Sequence, residues 1–160
     1  MTSDSAQIDE LDRRLLTLFT EQPRIGVLEA SRRLQVARGT VQARVDRLER
    51  IGVVTGWAPA ISASALGYLV TAFVTLEITQ HSGRAEITEL LRGIPEVLEC
   101  WTITGSGDLW CRIVARSNGD LQRVIDQMVS DPRVVRAVTL IGLAEQIPFR
   151  TDALVRDASR

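Results

Sequence analysis

Apolar residues recur with a helical period from Ile8 to Arg50. Ile8, Leu11, Leu15, Leu18 and Phe19 form one stripe, with Asp9 and Asp12 placed as an N-cap and a first-turn acid. Pro23 ends that helix. The spacing predicts a short second helix over Val27 to Leu34, a break at Gln35 to Ala37, and a third helix from Arg38 to Arg50. Two helices joined by so tight a turn outline a helix-turn-helix. On the third helix Val41, Val45 and Leu48 share a packing face, while Gly39, Thr40, Gln42, Ala43, Arg47 and Arg50 lie away from it. After Gly52, the stretch VVTGWAPAI reads as two short strands turning at Thr55 and Gly56, a β-wing.

Beyond Tyr68 the period changes to two. Val70, Ala72, Val74, Leu76 and Ile78 alternate with Thr71, Phe73, Thr75 and Glu77, which predicts a half-buried strand. A helix over Arg84 to Arg92, strands over Val97 to Thr104 and Leu109 to Arg116, a helix over Asp120 to Val129 and a strand over Val134 to Leu143 follow. The order βαββαβ is that of a ferredoxin-like sandwich. The fold class is therefore α+β, with a winged helix-turn-helix over residues 1–57, an Ala/Ser/Gly-rich connection over 58–68, and the sandwich over 69–160.

In the central hairpin, a four-residue connection at 105–108 sets Ile103 opposite Trp110 and Trp101 opposite Arg112. One face then carries Leu98, Cys100, Thr102, Leu109, Cys111 and Ile113, and the other Trp101, Ile103, Trp110 and Val114. Helices cover only one face of such a sheet. The second, with two tryptophans and aliphatics, predicts a homodimer interface at Trp101, Ile103, Trp110 and Val114.

The 160 residues carry a net charge of −1, so any nucleic-acid surface must be local rather than a property of the whole chain. Between residues 24 and 50 seven arginines stand against three acids, a net of +4. All 19 basic side chains are arginines. The absence of lysine excludes a Walker-type phosphate loop and a lysine Schiff base. Cys100, Cys111 and His81 cannot supply a four-ligand zinc set, and the cysteines read as buried reduced thiols. The polar N-terminus and the lack of a long apolar run predict a cytoplasmic protein with no membrane contact.

The stretch TITGSGDLWCRIVA tests a nucleotide-binding reading. A dinucleotide fingerprint needs a third glycine and a following helix, whereas GSGDLW has neither and leads into a strand. A hairpin turn accounts for the glycines. Asp108 either bonds turn amides or, with the loop amides and the Ser106 hydroxyl, holds the ammonium and carboxylate of an amino acid.

The segments IDELDRRLL, TVQARVDRLERIGVV, ALGY and TGSGDLWCRIVARS, in this order and spacing, resemble the Lrp/AsnC, or feast/famine, transcription regulators of bacteria and archaea, over roughly residues 8 to 150. The resemblance implies DNA binding by the N-terminal half, dimerisation through the C-terminal sheets with assembly to tetramers or octamers, and response to amino acids. The family's T-G-D-Y-D loop maps onto Thr104, Gly105, Ser106, Gly107 and Asp108, where Ser106 and Gly107 replace an acid and an aromatic. Gln35 stands where the turn glycine is usual, and Ala37 where the capping serine is usual.

The expectation is a sequence-specific regulator that binds double-stranded DNA. Arg38, Thr40, Gln42 and Ala43 face the bases, Gly39 lets the backbone enter the major groove, and Arg44, Arg47 and Arg50 face the phosphates. Thr102, Thr104, Gly105, Ser106, Gly107, Asp108 and Leu109 form the site for a small-molecule effector, an amino acid or a relative, with no other cofactor and no catalytic or metal-binding residue. An alternative is an effector-sensing oligomerisation partner of another regulator, with weak DNA binding of its own. An enzyme using Asp108 with His81 or Cys111 is the third reading, disfavoured because no residue able to act as a base activator for Cys111 lies nearby in sequence.

Overall fold

The computed structural model describes residues 8–79 and 84–157, which leaves His81 outside the described residues. The chain divides into two compact units: one ends at Pro59 and resumes at Ile147, and the other runs Ala60–Gln146.

The first unit holds α1 (Glu10–Glu21), α2 (Val27–Leu34) and α3 (Arg38–Arg50). Asp9 caps α1 as its position predicts: it accepts from the Asp12 N–H, and the Asp12 carboxylate accepts from the Asp9 N–H, a reciprocal capping box. The stripes of the three helices meet in a core of Leu15, Leu16, Ala30, Leu34, Val41, Val45 and Leu48. The turn between α2 and α3 is made by Gln35 in the left-handed region, φ 58°. Ala37 begins α3 without a side-chain cap.

Two expectations for this unit are corrected. The β-wing strands do not form among residues 53–63. The Val53 and Val54 N–H groups both bond the Leu48 carbonyl at the end of α3, so they are not available for a ladder. Trp57 instead turns back, its ring edge-on to Phe19 at 5.0 Å and its Nε1 donating to Glu49 at 2.6 Å. The second correction concerns the C-terminus. Residues 147–157 belong with the helix-turn-helix and not with the sheet, because a short helix, Asp152–Asp157, lies on α1 and brings Val155 against the first core.

The second unit contains β1 (Val70–Ile78), α4 (Arg84–Arg92), β2 (Val97–Thr102), β3 (Leu109–Ala115), α5 (Asn118–Met128) and β4 (Val134–Gly142). The strands form one antiparallel sheet in the order β2-β3-β1-β4, the ferredoxin-like arrangement. The alternating side chains of β1 and β3 point at the helices. Ala72, Val74, Leu76, Leu109, Cys111 and Ile113 are wholly or almost wholly buried with Ile87 and Leu91 of α4 and Val124 and Met128 of α5.

The hairpin register also departs from expectation. Trp101 pairs with Trp110, Cys100 with Cys111, Thr102 with Leu109 and Glu99 with Arg112, so the connection spans residues 103–108. Ile103 lies in that connection rather than opposite Trp110. Its cause is a tertiary bond: Asp108 directs its N–H to the Leu76 carbonyl at 2.8 Å and its Oδ2 to the Ile78 N–H at 2.8 Å, pinning the loop to β1. A bulge at Leu98 absorbs the offset, leaving that side chain exposed.

Candidate nucleic-acid interface and effector loop

The outer face of α3 is built as the sequence predicts: Arg38, Gly39, Thr40, Gln42, Ala43 and Arg50 are exposed, while Val41, Val45 and Leu48 are buried. Gly39 is notable because a Cβ there would meet nothing within 4 Å. Glycine weakens a helix by about 1 kcal/mol relative to alanine, so no packing requirement inside the chain accounts for it. Gln42 donates its Nε2 to Asp46 at 2.7 Å, which leaves its carbonyl oxygen and one N–H facing outward.

Arg44 and Arg47, expected at the phosphates, are half-buried and ion-paired within the unit. Arg44 bonds both Asp9 and Asp12, and Arg47 bonds Asp12 at 2.9 Å, so both are anchored to α1. Asp12 is wholly buried, and a buried carboxylate requires such partners. The Asp12 N–H, assisted by the Arg44 guanidinium, holds the Asp9 carboxyl below its ordinary value, and the bond to Asp9 raises Arg44. Sequence reasoning missed this network because its partners lie 32 to 35 residues apart. Arg38 and Arg50 pair with no carboxylate among the described residues.

In the second unit the loop residues divide by environment. Thr102, Thr104, Gly105 and Ser106 are exposed; Gly107 and Asp108 are half-buried. Leu109 is in the core at 2% exposure, so only its backbone is left to face a ligand at the loop. Gly107, at φ +115°, has no room for a side chain: a Cβ would lie 2.3 Å from Thr75 Cγ2. Close approach to β1 therefore fixes glycine at this position. Asp108 is a latch to β1 through Ile78, with Oδ1 left over.

The sheet face away from the helices carries Phe73 stacked on Trp110, with ring centroids 5.5 Å apart, and the Arg112–Glu99 ion pair at 2.7 Å. Trp101 donates its Nε1 to Glu99 at 3.0 Å and is 60% exposed. Ile103 and Trp110 are half-buried, and Val114 is buried within the chain, so it offers little to an interface. Val138 and Leu140 of β4, which the hairpin-centred reading omitted, are exposed opposite Thr75 and Phe73 on the same face. Cys111 lies in the core beside Cys100, and the Asp108 carboxylate accepts from the Ile78 N–H. No helix among the described residues is long and apolar enough to cross a membrane.

Comparison with known proteins follows this division of the chain. Residues 8–49 match the family model of the AsnC-type helix-turn-helix domain, and residues 71–150 match that of the Lrp/AsnC ligand binding domain. An uncharacterized HTH-type transcriptional regulator of Pyrococcus abyssi is 36% identical over 77% of this chain and 77% of its own. The proline dehydrogenase transcriptional activator of Rhodobacter capsulatus is 27% identical over 92% of this chain and 97% of its own. Among solved structures, E. coli AsnC superposes with a TM-score of 0.84 at 26% identity, covering 91% of this chain and 99% of its own. A feast or famine regulatory protein of M. tuberculosis, complexed with L-methionine, superposes with a TM-score of 0.81 at 27% identity, covering 91% and 98%.

Proposed function

Because the chain belongs to the Lrp/AsnC family of transcriptional regulators, we propose that it binds specific double-stranded DNA sites through α3 and responds to an amino acid, or a related small molecule, at loop 103–108. The observation that carries the DNA half of this reading is Gly39. It sits on an exposed face with Thr40 and Ala43, where a side chain would touch nothing in the chain. Small residues there let the helix backbone approach base edges in the major groove. Arg38 and Gln42 flank that surface as base readers, and Arg50 with Arg38 supplies phosphate contacts.

The effector half is supported by the exposed loop amides and the Ser106 hydroxyl, and by the M. tuberculosis relative carrying L-methionine. Because Asp108 is latched to β1, Thr104, Gly105 and Ser106 are the groups that meet the ligand first. The apolar sheet face, with Trp101, Val138 and Leu140 exposed beside the half-buried Trp110, supports a homodimer that assembles further.

The test is genome-wide DNA footprinting with and without a panel of amino acids, paired with Gly39→Leu. Discrete protected sites that Gly39→Leu abolishes, without loss of fold, are expected. Protection that survives Gly39→Leu sinks the assignment of α3. Sites that ignore every amino acid sink the effector assignment alone.

A second reading has one observation in its favour. Arg44 and Arg47 are neutralised within the unit, which reduces the positive surface of α3. A weak DNA binder that senses an effector and joins another regulator in a mixed oligomer fits this, and co-purification of such an oligomer distinguishes it from a self-sufficient binder.

A further inference from the structure

Cys100 and Cys111 are directly opposed across β2 and β3, and both are free thiols. The hydrogen bonds around them fix the kind of pair they form. The Val114 N–H bonds the Glu96 carbonyl and the Asp108 carbonyl accepts from the Ile103 N–H, so within β3 the even-numbered residues Trp110, Arg112 and Val114 direct their backbone groups toward β2. Cys111 therefore directs its own toward β1, and Cys100–Cys111 is a non-hydrogen-bonded pair. Such pairs bring Cα atoms to about 4.5 Å, the closer of the two antiparallel spacings. A disulfide spans Cα separations of roughly 4.4–6.8 Å, so bridging this pair needs no strand to move.

The chemistry of the two thiols is unequal. Cys111 is wholly buried beneath the helices, whereas Cys100 is half-buried on the outer strand of the sheet. A hydrogen bond between the two sulfurs lowers the Cys100 thiol and raises that of Cys111, and burial raises Cys111 further. The less buried cysteine is thus also the one with more thiolate, the form that attacks an oxidant.

We propose that Cys100 and Cys111 form a reversible redox couple, closing to an intramolecular disulfide on exposure to a hydroperoxide and thereby restraining loop 103–108. The Cys100 thiolate attacks the peroxide O–O bond, giving a sulfenic acid and, once the departing oxygen takes up a proton, water or an alcohol. The Cys111 sulfur then attacks the sulfenic sulfur, the S–S bond forms, and the hydroxyl leaves with the thiol proton as water. Both cysteines are oxidised, the peroxide is reduced, and a dithiol reductant reverses the change. The bridge lies two pairs before Thr102 and Leu109, the residues that flank loop 103–108, with Trp101 and Trp110 between, so it limits how far the loop's two ends separate. Only the importance of that loop rests on the proposed effector reading; formation of the bridge does not.

The experiment treats the full chain with hydrogen peroxide under native conditions, then alkylates, digests and maps it. The expected result is loss of both alkylatable thiols, a linked Cys100–Cys111 peptide lighter by two hydrogens, its disappearance with dithiothreitol, and slower amide exchange at Ile103 and Ile78. Cys100→Ser should leave one alkylatable thiol and no change in exchange. Two thiols that remain alkylatable in the wild type, or Cys100 passing to sulfinic acid with Cys111 untouched, overturn the proposal without any variant having to fold. A linked peptide without slowed exchange overturns the restraint on the loop. No arm uses DNA or an amino acid, so failure here is distinct from failure of the proposed function.

Discussion

Asp12 and Arg47 meet at 2.9 Å, with the carboxylate wholly buried and the guanidinium still reaching solvent. The same carboxylate accepts from Arg44 and from the Asp9 N–H, so one side chain on α1 both closes a helix cap and holds α3 in place.

Replacing Asp12 with alanine is therefore expected to destabilise the first unit by about 2–4 kcal/mol. Removing one member of a fully buried ion pair costs about 3–5 kcal/mol, and partial exposure of the two arginines reduces that. Urea denaturation followed by Trp57 fluorescence would read the loss; a midpoint unchanged from wild type would show the network to be incidental.

The arginines of α3 should separate into two classes. Arg38→Ala is expected to lower the slope of log affinity against log salt by about one unit, the effect of one lost phosphate contact. Arg47→Ala should leave the slope largely intact and lower the unfolding midpoint, because Arg47 is tied to Asp12. Fluorescence anisotropy with an operator fragment at several salt concentrations checks both, and a full unit lost from the slope in Arg47→Ala would return that residue to the DNA surface.

The turn before α3 can be improved. Ala37→Ser supplies a missing helix cap, worth about 1 kcal/mol. Gln35→Gly removes a left-handed non-glycine residue, worth about 0.5–1 kcal/mol after glycine's own entropy is counted. Together they should raise the melting temperature of the first unit by several degrees, measured by differential scanning calorimetry. No rise would mean that Gln35 and Ala37 are held by interactions that these substitutions break.

Two glycines of the loop should respond unequally. Gly105→Ala meets only backbone strain, about 1–2 kcal/mol, since nothing lies within 4 Å of its Cβ position. Gly107→Ala adds the collision with Thr75 and should cost about 2–4 kcal/mol in all. Equal destabilisation in denaturant titrations would contradict the close approach of the loop to β1.

The parts of the fold carried by local period were legible in the sequence. The helical stripes between Ile8 and Leu48 and the alternation from Val70 to Ile78 specify elements and their buried faces, and α1 to α3 and β1 lie where those patterns place them. What was hidden depends on partners far apart in sequence. The register of the β2–β3 hairpin is set by the bond of Asp108 to Ile78, 30 residues away, and nothing local announces it. The capture of Arg44 and Arg47 by Asp12 is of the same kind: the charges were visible and their pairing was not. The wing failed for a local reason read too simply, since Val53 and Val54 have strand-like side chains but amides bonded to Leu48. Of the candidate site, the exposed face of α3 was legible because exposure follows helical period, whereas the placement of Leu109 and Asp108 follows from burial and tertiary bonding.

The return of the chain at Ile147 to the helix-turn-helix makes the first unit discontinuous in sequence and the second an insertion within it. A fragment stopping at Pro59 would leave behind Val155 and the helix that covers α1. Exchange of one sensory module for another therefore needs two junctions rather than one, so recombination at a single breakpoint gives a chimera whose reading head is incomplete.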